Sequence, residues 1–303
     1  MTQKQLQYTS THWLQTELLN LCHKIPLKLH ENRYGPKIFL EFQRVALVAL
    51  FRRSNKSLRD FVDELQEYKW VEWLKLKEIP GKSTLNDWCK KYPTSFTSTI
   101  NKIMLQDDNP KVMAIDATGI DSWQRSRHYE KRIGEPNLPY AKLAIFVDVE
   151  TKLIHDHNLR LKPRHDTIAA RQIFKRTKIN NALFLGDKAH DSEPLHEEAR
   201  KGSNELFAPV RKSSRKKPRG FYRRQCMVEN PLYAKRNNAE STIHALKSRR
   251  LSSLRSKLPY MKKREVAWAV LIYNLERKNK IKLVFIGIVL NTIPDMTHSR
   301  QKN

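Results

Sequence analysis

Two acidic residues stand directly behind short apolar runs of this 303-residue chain. Asp116 follows "VMAI", and Asp187 follows "ALFLG". A carboxylate at the end of a buried strand needs a strong reason, because burying its charge is costly. Taken singly, each is more typical of an acid that caps a turn or a helix. Asp121 lies five residues beyond Asp116 but does not end the apolar run, so Asp116 is the preferred candidate.

A third acid belongs to an unusual polar face of a predicted helix. The segment "PLYAKRNNAESTIHALKSRR" (231–250) begins behind Asn230 with a proline, which is typical of a helix start. Its polar residues recur at offsets that place them within about 60° of one helical face. They are Tyr233, Arg236, Glu240 and Lys247. The alternative is an exposed, ion-paired face, but Asp116 and Asp187 favour a functional one.

The net charge of the chain indicates what kind of partner these acidic residues act on. Lys and Arg number 58 against 31 Asp and Glu, which gives a net charge of +27 and a pI of about 10.1. This balance favours a nucleic-acid partner over a ribosome-associated protein or a binder of acidic membranes. Converging carboxylates in a basic protein are typical of sites where divalent cations meet phosphate oxygens. Two such ions can promote an in-line displacement at phosphorus.

The elements that must position these residues change in type near residue 108. Apolar runs after that point predict five strands at 111–118, 141–150, 152–161, 181–187 and 204–211. Between and after them, helical patterns cover 164–177, 193–202, 231–250 and 263–278. The sequence therefore predicts an α/β fold, a mixed sheet flanked by helices (109–290), followed by a tail at 291–303.

The first 108 residues predict an all-helical N-terminal region. Helical patterns cover 36–54, 57–68 and 70–76, and Ser83 or Thr84 is predicted to cap a short helix at 83–92. A helix, a tight break and a second helix that begins with polar residues are the layout of a helix-turn-helix. Residues 56–92 are therefore a candidate DNA-reading motif. A plain helical bundle explains this stretch equally well.

Two further stretches are rich in cations. Residues 122–132 interleave aromatic and basic side chains, among them Trp123, Arg125, Arg127 and His128. That composition suits stacking on unpaired bases, although an ordinary exposed hairpin is an equal alternative. Residues 211–224, "RKSSRKKPRGFYRR", predict a basic, poorly ordered loop, which we call the basic segment.

Other features exclude several classes of function. Three distant cysteines indicate neither a disulfide framework nor a zinc site. His155 and His157 alternate on a predicted strand with no third ligand near in sequence, so we expect sheet surface. The N-terminus lacks the features of a secretory signal, and the apolar runs are too short to cross a bilayer. We expect a cytoplasmic, nucleoid-associated protein with no membrane partner.

Three segments resemble the motifs of the DDE transposases of bacterial and archaeal insertion sequences. They are "AIDATGID", "LGDKAHDS" and "YAKRNNAESTIHALK", and the last matches the family's Tyr-x2-Arg-x3-Glu-x6-Lys signature at every stated position. The resemblance extends upstream to "SLRDFVDELQEY…IPGKSTLNDW", to "RHD" at 164–166, and downstream to "AVLIYNLER". Many relatives have Gly-Tyr where this chain has Ala189-His190, a departure expected to be without consequence.

The resemblance implies a ribonuclease H-like catalytic domain in a prokaryotic mobile element. It implies Asp116, Asp187 and Glu240 as catalytic, metal-binding residues, with two Mg²⁺ ions as cofactors and Mn²⁺ as a substitute. The implied activity is cut-and-paste transposition, in which cleavage at the element's ends releases 3′-hydroxyls that attack target DNA. The expected partners are double-stranded DNA, comprising terminal inverted repeats and target, and a second copy of the chain in the DNA complex.

The polar face of helix 231–250 then has an explanation. Arg236 is expected to neutralise the acids or hold a phosphate, Lys247 to contact the DNA backbone, and Tyr233 to stack on a base or donate to a phosphate. Two alternatives remain open. One is a non-catalytic DNA-binding protein, a domesticated or decayed transposase. The other is a structure-selective nuclease on the same fold.

Overall fold

A five-stranded sheet forms the centre of the protein. The computed structural model describes residues 10–25, 27–28, 38–122, 141–162, 164–211 and 218–292. The strands are β1 (Val112–Ile120), β2 (Ala141–Asp148), β3 (Ile154–Arg160), β4 (Leu183–Leu185) and β5 (Glu205–Phe207). Their order is β3-β2-β1-β4-β5, with β1, β2 and β3 antiparallel and with β4 parallel to both β1 and β5. The predicted mixed α/β sheet is confirmed, and its order is ribonuclease H-like.

Helices cover both faces of the sheet, which explains why the strands read as continuous apolar runs. They are α7 (Asp166–Phe174), α8 (Glu193–Arg200), α9 (Phe221–Gln225), α10 (Asn237–Arg249) and α11 (Pro259–Thr292). On one face, α7 and α8 bury a cluster that includes Phe146 and Phe184. On the other face, α10 and α11 bury a cluster that includes Ile145 and Val147. Consecutive residues of β2, Phe146 and Val147, therefore pack into opposite cores.

The described part of the N-terminal region is helical, as predicted. Its helices are α1 (Ser10–Lys24), α2 (Glu41–Ser54), α3 (Leu58–Leu65), α4 (Trp70–Trp73), α5 (Lys82–Lys91) and α6 (Thr94–Met104). The central helix α2 is buried along most of its length, from Val45 to Phe51. Trp268 and Leu271 of α11 belong to the same apolar cluster, so α11 packs against the N-terminal helices as well as the sheet.

Several boundaries differ from the predictions. Gly81, which has an extended backbone, occupies the N-cap position of α5, so neither Ser83 nor Thr84 is the cap. Helix α7 is shorter than its predicted span of 164–177, and its N-terminal residue follows His165, which makes no side-chain capping hydrogen bond. The last four residues of the basic segment belong to α9, which ends one residue beyond it, whereas sequence alone predicted a poorly ordered loop. Tertiary contacts, which local propensity does not report, order this short helix.

The long final helix exceeds its predicted span of 263–278 at both ends. Among the described residues, however, no helix has both the length and the apolar character required to cross a bilayer.

Candidate active site

Strand register brings the two candidate aspartates to the same level of the sheet. The parallel pairing of β1 with β4 ends at Ala114 and Leu185. Asp116 lies two residues beyond Ala114, and Asp187 lies two residues beyond Leu185. Asp116 is within β1 rather than at its end, because the strand continues to Ile120 through pairing with β2 alone. The acids therefore face the opening where β4 stops and β1 continues.

A tight turn holds the Asp187 carboxylate. Asp187 caps the 3-10 turn Lys188–His190, and we call residues 187–190 the Asp187 turn. Its Oδ1 accepts a hydrogen bond from the Ala189 backbone N–H at 2.9 Å and lies 2.7 Å from Nδ1 of the buried His190. A Cβ on Gly186 would lie 2.9 Å from the His190 Cβ, so the missing side chain admits the imidazole. These contacts all go to Oδ1, which orients the carboxylate.

The two aspartates differ in how readily they ionise. Burial raises the pKa of Asp116, and the neighbouring Asp187 carboxylate adds to the increase. The hydrogen bond from the Ala117 N–H and the charge of the Arg236 guanidinium lower this pKa, but by less. The hydrogen bond from His190 lowers the pKa of Asp187 despite partial burial. Mutual repulsion between the carboxylates identifies them as one electrostatic site. A bound cation would relieve this repulsion.

Helix α10 presents Glu240 from across the opening. The segment before it, Tyr233–Arg236, is a 3-10 turn, so the predicted helix at 231–250 consists of a turn followed by the α-helix. Its inner face is buried through Ala239, Ile243 and Leu246. Asn238 donates to the Val149 carbonyl at 2.7 Å and thereby ties the start of α10 to the sheet.

Arg236 lies among the three acids. Its guanidinium forms an ion pair with Glu240, and its charge acts on both Asp116 and Asp187. Arg236 is 16% exposed in its side chain, whereas Glu240 is 54% exposed, so the cation is the more enclosed partner. Arg236 therefore neutralises Glu240 through a direct ion pair.

A cleft of about 490 Å³ opens beside these residues. Its lining includes Asp116, Glu240, His244 and Lys247. Lys247 Nζ donates to the Gly119 carbonyl at 3.0 Å and lies 3.4 Å from the Thr118 hydroxyl, so the side chain folds onto the end of β1. Sequence reasoning missed His244, although its place between Glu240 and Lys247 on one face of α10 was a usable signal.

Tyr233 contacts a different part of the molecule. Its ring packs edge-on against Phe207 with centroids 5.4 Å apart, beside a small cluster formed by Leu185, Phe207 and Cys226. Tyr233 also lines a separate groove of about 1140 Å³ together with Lys188 and Arg211. Of the four signature residues, Glu240 and Lys247 thus line the cleft, whereas Tyr233 lines the separate groove.

The acids are neighbours without forming a closed ligand set. Within the described ranges, no group of three His, Cys, Asp or Glu side chains is placed to hold a metal ion. Glu240 is instead ion-paired with Arg236. The donor chemistry, however, is carboxylate oxygen throughout, which suits Mg²⁺. The candidates Trp123, Arg125, Arg127 and His128 lie outside the described residues.

Comparison with known proteins places these features in a family. The family model described as "Transposase DDE domain" matches residues 107–275, more than half of the chain, and this span contains all three acids. No curated protein matches. Among solved structures, a similar one is the cryo-EM structure of a piggyBac transposase synaptic complex with hairpin DNA, with 11% identity and a TM-score of 0.45 over 91% of this chain and 72% of that one. On the strength of the family match, this chain belongs to the DDE transposases.

Proposed function

We propose that this protein is a metal-dependent transposase that cuts DNA at the ends of a mobile element and joins them to target DNA. The observation that carries the proposal is the level placement of Asp116 and Asp187 beyond the last β1–β4 pair, with Glu240 across the cleft. Repulsion between two partly buried carboxylates is costly unless a cation is recruited. Family membership makes DNA cleavage and transfer the relevant chemistry.

In the first step, water attacks the phosphorus at the element's end, and the bond from phosphorus to the 3′-oxygen breaks. The element then carries a 3′-hydroxyl, and the flanking DNA keeps the phosphate. In the second step this hydroxyl attacks a target phosphodiester, whose own 3′-oxygen leaves. Each step breaks one phosphorus–oxygen bond and forms one, so neither needs an energy-rich cofactor.

Asp116, Asp187 and Glu240 would hold the metals through carboxylate oxygens. Bound Mg²⁺ ions, two of them in the proposed enzyme, would supply activation of the attacking oxygen and stabilisation of the leaving one, with Mn²⁺ as a substitute. For Glu240 to take part, Arg236 has to release it. The freed guanidinium is then available to a DNA phosphate, which it can hold bidentately.

The proposed partner is double-stranded DNA, both the terminal inverted repeats and the target. A net charge of +27 supplies affinity that does not depend on sequence. We assign catalysis to residues 109–290 and DNA reading to the helical region 1–108, with α5 as the candidate reader helix within 56–92, and we regard 291–303 as a tail. Two copies of the chain, each acting on one element end, form the proposed complex, in the cytoplasm of a prokaryote.

Substitution of the acids tests the proposal. The substrate is duplex DNA that carries the inverted repeats flanking the coding sequence. Asp116→Ala, Asp187→Ala and Glu240→Ala should each abolish Mg²⁺-dependent cleavage, while DNA affinity stays within about threefold because Lys and Arg supply it. Asp121→Ala is the matched control, since it removes a nearby acid outside the proposed triad, and it should cleave normally.

The outcomes separate the alternatives. Near-wild-type cleavage by any triad variant means that its residue is misassigned. Binding without cleavage by the wild-type chain would indicate a non-catalytic DNA-binding protein. Cleavage without joining to a supercoiled target plasmid would indicate a structure-selective nuclease.

A further inference from the structure

The basic segment is fastened to the protein by a buried carboxylate that sequence reasoning did not single out. Arg223 forms a two-pronged ion pair with Asp191, with Nε 2.6 Å from Oδ1 and a terminal nitrogen 2.7 Å from Oδ2. The Asp191 side chain is 0% exposed. A buried bidentate pair fixes the position and orientation of both partners.

The other end of the basic segment reaches the same carboxylate. The Arg211 backbone N–H donates to Asp191 Oδ2 at 2.9 Å. The Arg211 guanidinium donates to the carbonyls of Lys188 at 2.5 Å and Ala189 at 2.7 Å. Both carbonyls belong to the Asp187 turn. The Arg211 side chain therefore binds the turn that contains Asp187, a candidate metal ligand.

A neighbouring acid strengthens this attachment. The Glu193 carboxylate accepts hydrogen bonds from the backbone N–H groups of Tyr222 and Arg223, at 3.0 and 3.1 Å, at the start of α9. A Cβ on Gly220 would lie 2.2 Å from a Glu193 oxygen, and Gly220 has a φ of 105°, so both space and backbone require glycine there. The basic segment is therefore docked at both ends.

The Asp187 turn is thus held from two sides. On the inner side, Asp187 Oδ1 accepts the Ala189 N–H and lies against His190. On the outer side, the Arg211 guanidinium donates hydrogen bonds to the carbonyls of the turn. Asp191 orients both Arg211 and Arg223. The positions of Arg211 and Arg223 are therefore coupled directly to that of the Asp187 carboxylate.

We propose that Asp191 is a positioning residue that locks Arg211 and α9, the two described ends of the basic segment, to the Asp187 turn, so that a DNA strand bound by Arg211 and α9 is set in register with the Asp187 carboxylate. The proposal deepens the proposed function and rests on it for the meaning of Asp187. Asp191 itself contacts neither DNA nor metal in this assignment. Its effect passes through Arg211 and Arg223.

Two substitutions break the lock without removing a positive charge. Asp191→Asn removes the ionic acceptor, and Arg223→Lys keeps the charge but loses the two-pronged geometry. The matched control is Glu198→Gln, because Glu198 is also a buried acid of the same region, paired with Arg171 at 3.1 Å and Lys201 at 3.3 Å. Its ion pairs do not involve the Asp187 turn.

Hydrogen exchange in the full-length protein provides a readout independent of cleavage. With a random-sequence duplex as the probe, exchange of the Ala189 and His190 amides in the wild type should slow by at least about fivefold on DNA binding. Asp191→Asn and Arg223→Lys should lose this slowing, while their DNA dissociation constants change less than about threefold. Glu198→Gln should keep it. Arg223→Lys serves as the milder variant if Asp191→Asn does not fold.

Cleavage provides the second readout. At saturating DNA, single-turnover cleavage by Asp191→Asn should fall at least about tenfold, against less than about twofold for Glu198→Gln. Retention of DNA-induced protection in the Asp191 and Arg223 variants overturns the proposal, and so does equal loss in Glu198→Gln or no protection in the wild type. Failure of the wild type to cleave DNA counts instead against the proposed function, because the exchange readout still reports the lock.

Discussion

At the scale of single residues, His190 has a contact that its sequence context did not suggest. The resemblance to transposases led us to expect no consequence from Ala189-His190 in place of Gly-Tyr. In the structure, His190 is 1% exposed and lies 2.7 Å from the Asp187 carboxylate. A hydrogen-bond partner of this kind orients a metal ligand, and losing one typically costs 10–100-fold in metal affinity or activity.

Loss of the imidazole should therefore weaken metal binding. His190→Phe keeps the buried ring but cannot donate to Asp187, so we expect the Mn²⁺ dissociation constant, measured by calorimetry without DNA, to rise about tenfold. His190→Asn places an amide donor near the position of Nδ1 and should recover most of the affinity. Equal affinities of His190→Phe and the wild type would show that His190 only fills space.

At the scale of secondary-structure elements, Arg236 on the polar face of α10 is a competitor for the metal ion that we propose Glu240 to bind. Sequence reasoning predicts that loss of Arg236 weakens metal occupancy, because the carboxylates would then repel one another more strongly. The ion pair between Arg236 and Glu240 reverses this expectation. In the proposed enzyme, a metal ion would have to displace Arg236 before Glu240 could bind it.

Arg236→Gln should accordingly tighten metal binding by the DNA-free protein. We expect the Mn²⁺ midpoint to fall about threefold or more, since the site gains negative charge and Glu240 is released. Lys235→Gln is the control, because Lys235 is exposed on the same turn and its nearest acid, Glu150, is 4.0 Å away. A higher midpoint in Arg236→Gln would instead support the repulsion argument.

Helix α5 raises a second question at this scale, namely whether it reads DNA sequence. Lys82 is exposed at its start and Asn86 lies one turn later, while Leu85, Trp88 and Cys89 face the core. The double substitution Lys82→Ala/Asn86→Ala should lower the preference for element ends over random duplex about tenfold, if these side chains contact bases. Dissociation constants for both duplexes measure this preference.

Arg59→Ala supplies the contrast, since Arg59 is an exposed cation on α3. A phosphate contact there should weaken binding to both duplexes alike. If the α5 variant also weakens both equally, sequence reading belongs elsewhere, most plausibly to residues 122–132.

At the scale of the whole molecule, α11 joins the N-terminal helices to the sheet. Its Asn274 is fully buried, accepts the Ile154 N–H at 2.9 Å, and donates to the Asn101 side chain at 2.8 Å and to the Ile154 carbonyl at 2.7 Å. Glu276 on the same helix binds Arg53 of α2 and Arg250 at the end of α10. The shared core also includes Trp268, so a fragment that ends at residue 108 would lose part of its apolar cluster.

Asn274→Leu should destabilise the entire chain. Each buried polar group left without a partner costs about 1–3 kcal/mol. The substitution leaves the Asn101 side chain of α6 and the Ile154 backbone of β3 without the hydrogen bonds that Asn274 makes to them. Urea unfolding should show one transition at a lower midpoint. Asn158→Leu, which removes an exposed hydrogen bond from β3, should change stability by less than about 0.5 kcal/mol. Two separate transitions in the wild type would show that α11 does not couple the two parts.

The sequence by itself determined the fold class and the candidate acids. Periodicity and apolar runs are local signals, so five strands and most helices could be predicted near their observed bounds. Asp116 and Asp187 were detectable because a charge behind a buried run is exceptional, and Glu240 because its signature has fixed spacing. The match of the family model to residues 107–275 confirms the family that these residues suggested.

Only the tertiary structure decided which partners these residues have. Register set Asp116 level with Asp187, and the fold brought together Asp191 with Arg223 and Lys247 with Gly119, which are far apart in the chain. The order of α9 had the same origin, because a five-residue helix is too short to be stable without long-range contacts. Sequence patterns report which groups are present and which face they occupy. Distances between groups remote in sequence depend on how the elements pack, and the cleft that Asp116 and Glu240 both line is a consequence of that packing.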